Sequence, residues 1–97
     1  MSILEQLAAE AIRLGADSLD VEYKDGCESV LAMVGQIGYG MASLDSSTKE
    51  AEELRTDLYA IRKKGRWVTV DGSRHELRAR VYDSFGEDAF RVHLRRA

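Results

Sequence analysis

A chain of 97 residues with 44% hydrophobic and 32% charged side chains predicts one globular domain, residues 1–97, with a modest core, and excludes a disordered polyelectrolyte. No apolar run approaches the roughly 20 residues that span a bilayer. Met1-Ser2-Ile3-Leu4-Glu5 lacks the basic start of a secretory leader, and the single cysteine, Cys27, has no partner for an internal disulfide; together these predict a cytoplasmic protein. The net charge of −3 is unevenly spread: residues 1–61 hold four basic and twelve acidic side chains, a net −8, and residues 62–97 hold ten and five, a net +5.

Ser2 with Glu5 has the spacing of a capping box, and Ile3, Leu4, Leu7, Ala8, Ala11, Ile12 and Leu14 follow with helical periodicity. Gly15 supplies the left-handed stop. Leu19, Val21 and Tyr23 then alternate with polar residues, a half-buried strand that ends at the hairpin dipeptide Asp25-Gly26. Glu28–Val34 is apolar on both faces, which predicts a central strand.

Gly35, Gly38 and Gly40 follow, but their spacing fits neither a dinucleotide fingerprint nor a phosphate-binding loop, and no lysine follows. They predict a turn, with a third strand over Tyr39–Leu44. Ser47 with Glu50 has capping-box spacing, and Ala51, Leu54, Leu58 and Ile61 form the apolar stripe of a second helix that ends at Gly65.

Trp67–Val70 reads as a fourth strand opened by a core tryptophan. Asp71-Gly72 is another hairpin signal. A fifth strand runs through His75, Leu77, Ala79 and Val81, a turn occupies Ser84–Asp88, and a sixth strand runs through Phe90, Val92 and Leu94. The order αβββαβββ predicts an α+β fold: a two-layer domain with a largely antiparallel sheet and helices on one face.

The last hairpin carries the candidate site. Its outward positions are Arg78, Arg80, Arg91, His93 and Arg95, and cross-strand neighbours lie about 5 Å apart. Arginines so grouped bind phosphates, carboxylates or an acidic protein surface. The last strand also reads as an exposed edge, a route to a two-fold homodimer.

Arg62-Lys63-Lys64-Gly65-Arg66-Trp67 has the look of a nucleic-acid patch. The acidic pI near 5.4 and the preference of a helix C-terminus for cations argue against nucleic acid. One cysteine and two histidines, His75 and His93, show no metal-ligand spacing, so no metal or other cofactor is expected. No nucleophile elbow occurs, and the expectation is a non-enzymatic protein.

The residues and the element order together resemble the small N-terminal domain that precedes the motor domain of type II secretion and type IV pilus ATPases. Ala11–Leu14 followed by Gly15-Ala16-Asp17-Ser18-Leu19-Asp20-Val21 is similar to the family's helix and its Gly-Ala-Ser-Asp-Ile-His turn and strand. Val34-Gly35-Gln36-Ile37 stands where the family has a strand closing on Asp-Gly. Asp71-Gly72, Arg80-Val81, Gly86-Glu87 and Phe90–Leu94 match the later turns and strands.

The departures bear on function. Asp20 replaces the family's histidine, Asp17-Ser18 is inverted, Val30–Val34 carries no arginine, and the stretch between Arg80 and Gly86 is shorter. The family's P-loop belongs to a following motor domain, and this sequence holds no such loop, so no ATP hydrolysis is implied. In the family, arginines of this domain reach nucleotide held by the motor; Arg80 and Arg91 lie near those positions. The resemblance implies a relative of that N-terminal domain, and the arginine row of the last hairpin predicts that it acts as a stand-alone interaction module binding a protein partner, an acidic one, through the basic face of that hairpin. The fold also resembles PAS-like domains, and the alternative is a small-ligand or nucleotide sensor.

Overall fold

The computed structural model describes all residues, Met1–Ala97. The chain runs α1 (Ile3–Arg13), β1 (Ser18–Lys24), β2 (Cys27–Val34), β3 (Ile37–Asp45), α2 (Lys49–Lys63), β4 (Arg66–Val70), β5 (Ser73–Ser84) and β6 (Glu87–Arg96). It is a mixed α+β fold in which all six strands join one antiparallel sheet of order β3-β2-β1-β6-β5-β4. Neither helix is long and apolar enough to cross a membrane.

Local chemistry fixes the helix ends. The Ser2 hydroxyl accepts from the Glu5 amide at 3.2 Å and the Glu5 carboxylate accepts from the Ser2 amide at 2.9 Å, a reciprocal box. Those bonds hold the Glu5 carboxyl below its usual pKa. At the other end Gly15 adopts φ +83°, and the amides of Gly15 and Ala16 reach back to Ile12 and Ala11 in a Schellman closure. The cap of α2 is Thr48 rather than Ser47: its hydroxyl accepts from the Ala51 amide. Ala51 has no side chain to return the bond, so the second capping box does not form. Gly65 is not the left-handed stop of α2; a Cβ there would lie 2.7 Å from the Glu76 carboxylate and 3.2 Å from Arg78 Cγ.

Two-residue turns join the sheet's hairpins. Asp25-Gly26, Asp71-Gly72 and Phe85-Gly86 all have positive φ at both positions, the twist that antiparallel strands require. The Gly35-Gln36 turn has positive φ only at its glycine. β3 begins at Ile37, two residues before the expected Tyr39, so Gly38 lies in the strand rather than in the turn.

Alternate strand residues and the apolar stripes of both helices share one core. Leu19, Val21, Leu77 and Val92 meet Leu4, Leu54, Leu58 and Ile61, all essentially inaccessible. At 25 cal/mol per Å² or so, this apolar burial is the main drive to fold.

Three further sequence expectations change. β2 is paired on both sides, one strand in from the edge, but it is not buried on both faces: its burial alternates, with Glu28, Val30 and Ala32 buried. Of its outer apolar residues, Met33 and Leu31 instead lean on Gly38 of β3, 3.2 and 3.6 Å from where a Cβ would stand. β6 is not an edge strand; it pairs with β1 on one side and β5 on the other, and the edges are β3 and β4. Trp67 is half exposed rather than core, and the Arg74 guanidinium stacks 4.5 Å from its ring centre.

Candidate anion-binding face

β5 and β6 place the site by their register. Arg78 stands opposite His93, Arg80 opposite Arg91 and Glu76 opposite Arg95. Alternation sends Leu77, Ala79, Val92 and Leu94 into the core and leaves the intervening side chains on the other face of the sheet. Arg78, Arg80, Arg91 and Arg95 are exposed and His93 is partly covered. The structure brings all five sequence-predicted residues onto one face.

They are not equivalent. Asp20 of β1 sits directly opposite Arg91 and accepts two hydrogen bonds from it, Nε to Oδ1 at 2.8 Å and Nη2 to Oδ2 at 2.9 Å. The hydrogen bond and charge of Asp20 raise the Arg91 pKa above its already high ordinary value. Arg91 is thereby committed inside the chain, and the pair leaves Asp20 only 7% exposed in the middle of the sheet. Arg78 Nε lies 3.3 Å from Glu76 Oε2, a contact at the surface worth little in water. Arg80, Arg95 and His93 form no ion pair within the chain.

Two adjoining surface concavities lie over this face. One, of about 530 Å³, is lined by Arg62, Arg78, Ala79, Arg80, His93 and Arg95, with no acidic residue. The other, of about 780 Å³, extends past Arg80 and Arg91 to Tyr82, Asp20 and Glu22. There the Tyr82 hydroxyl donates to Glu22 Oε1 at 3.0 Å. Burial first, then this bond to a carboxylate, pushes the Tyr82 pKa up to about 12.

Arg62 is the member that sequence reasoning missed. It reads as one cation in the last turn of a helix, where the dipole alone accounts for it. Only the tertiary path, with α2 ending two residues before β4 and β4 pairing with β5, carries it to the rim of the groove. Asp20 and Tyr82 were equally invisible as site residues, because their partners lie 71 and 60 positions away.

The arrangement presents four guanidiniums on an open surface; no acid lines their groove, and of the four only Arg78 has an internal carboxylate beside it, that of Glu76. Forked N–H donors of this kind suit carboxylate oxygens. The chain gathers no cluster of three or more His, Cys, Asp or Glu side chains able to hold a metal ion. No family model matches the sequence, and no curated protein matches it.

Proposed function

We propose that this chain is a non-enzymatic, cytoplasmic interaction module that binds an acidic segment of a protein partner across the arginine face of β5 and β6. We read it as a relative of the N-terminal domain of secretion ATPases, a two-layer αβββαβββ domain whose helices cover one face of the sheet and leave the arginine face open. The single observation that carries the functional reading is the groove of Arg62, Arg78, Arg80, His93 and Arg95, which contains no acid. Arg91 supports the face through Asp20 rather than contacting the partner.

The competing reading, a PAS-like sensor, requires a polar chamber beneath the helices. That space holds Leu4, Leu54, Leu58 and Leu77, each wholly buried. Every buried side-chain nitrogen and oxygen already has a hydrogen-bond partner. Charge on the open face therefore supports the interaction reading better.

A fluorescein-labelled oligoglutamate peptide serves as probe in an anisotropy titration. Binding is expected to weaken as salt rises and to disappear in the triple variant Arg78→Glu, Arg80→Glu, Arg95→Glu. Arg13→Glu, on α1, is the control and should bind as the parent does. No binding by the parent, or undiminished binding by the triple variant, overturns the reading.

A further inference from the structure

β5 runs twelve residues, but β4 pairs only with Ser73–Leu77 of it. Arg66 stands opposite Leu77, and just before it the chain turns away into α2, where the Lys64 N–H bonds back to the Ala60 carbonyl. From Arg78 to Ser84, β5 therefore has β6 on one side and no strand on the other. A bare edge of this kind is a template for an added strand.

Turn geometry fixes which backbone groups are free. The two-residue Asp71-Gly72 turn makes Val70 and Ser73 a hydrogen-bonded pair, so His75 and Leu77 also bond toward β4. The Phe85-Gly86 turn does the same for Ser84 and Glu87, so Tyr82, Arg80 and Arg78 bond toward β6. The two hairpins agree: the N–H and C=O groups of Ala79, Val81 and Asp83 point to the open side. No backbone hydrogen bond of a turn, loop or cap takes them.

Charge around this edge is one-sided. Arg62 comes from α2, on the helix-covered face, and Arg78 and Arg80 from the opposite face, yet all three line one concavity with Ala79. Groups of opposite faces meet in this way where a sheet has its margin. The adjoining concavity continues along Val81 and Tyr82. Its two acids are engaged, Asp20 by Arg91 and Glu22 by Tyr82. The basic stretch ends at the exposed Asp83.

We propose that the acidic partner segment binds as an added β-strand along Ala79–Val81 of β5, in line with β4. Its alternate side chains meet Arg62 on one face and Arg78 and Arg80 on the other. Backbone bonds to Ala79 and Val81 supply the grip, and the arginines select an acidic sequence. This rests on the arginine-face reading and adds to it the conformation and direction of approach of the partner. A second copy of this chain suits the edge badly, because its own β5 would set arginines beside arginines.

Anisotropy titrations with the labelled oligoglutamate peptide and two N-methylated forms of it, all of one charge, test this. The form methylated at alternate residues keeps one edge of N–H groups and should bind as the unmodified peptide does. The fully methylated form keeps none and should bind at least about tenfold more weakly, the worth of one or two net hydrogen bonds. Val81→Pro retains every charge and every bond to β6, because its N–H faces the open side. It should weaken the unmodified peptide to the same extent, with unchanged circular dichroism. Full-strength binding of the fully methylated peptide, equal loss with the alternately methylated one, or full-strength binding by Val81→Pro overturns strand addition and leaves the arginine-face reading standing. Failure of the parent to bind the unmodified peptide overturns both. If Val81→Pro does not fold, the methylated peptides decide alone.

Discussion

The Arg91 guanidinium closes on the Asp20 carboxylate through two parallel hydrogen bonds, 2.8 and 2.9 Å long, across the β1–β6 junction. The Asp20 side chain is nearly covered and that of Arg91 is about half exposed, so the two partners are not interchangeable. Arg91→Ala leaves a carboxylate in the sheet without its donor and is expected to cost about 2 kcal/mol, below the cost of breaking a fully buried pair. Asp20→Asn keeps the shape, costs about 1 kcal/mol, and releases Arg91 to strengthen oligoglutamate binding. Urea denaturation and the anisotropy titration read the two effects; an Arg91→Ala protein as stable as the parent refutes a structural role for the pair.

Alkaline pH should weaken the fold through Tyr82. Its pKa is raised to about 12 by burial and by the bond to Glu22. An unfolded tyrosine ionises near 10, so between about pH 10 and about pH 12 the unfolded chain has lost the proton and the native state keeps it. Stability is therefore fully present below about pH 10 and declines as pH rises through that window. Tyr82→Phe removes this proton and should flatten that part of the decline in denaturation free energy. An unchanged slope in Tyr82→Phe would place the alkaline sensitivity elsewhere.

Phe85 is fully exposed at the tip of the β5–β6 hairpin, in left-handed backbone at φ +53°. The equivalent positions of two other turns are Asp25 and Asp71, at φ +52° and +50°. A bulky residue in this conformation costs roughly 1 kcal/mol, and asparagine tolerates it. Phe85→Asn should raise the denaturation midpoint by a corresponding amount. A lower midpoint would mean that the ring makes a contact worth more than the strain.

Most of the fold was legible in the sequence because its signals are local. The Ser2 box, the Gly15 stop and the Asp-Gly turns each act within a few residues, so alternation between them gave all six strands. What depended on distant partners was not legible. The apolar run Val30–Val34 looks the same in a central strand and in one whose outer residues lean on Gly38. Trp67 looks like core until Arg74 is seen to stack on it. The arginine row itself followed from period two along β5 and β6, whereas its internal sorting, with Arg91 tied to Asp20 and Arg62 joining from α2, required the strand order.

Strand pairing joins the two meanders of the sheet only where β1 meets β6, over Ser18–Val21 against Phe90–His93. During synthesis the N-terminal meander must therefore wait for a strand made about seventy residues later. Pairing across so long a stretch of chain raises contact order, which favours slow folding. Through that wait Asp20 stands in the middle of an open strand as an uncompensated charge, which deters pairing with foreign strands. The same carboxylate that later anchors Arg91 thus acts first as a guard on the half-made sheet.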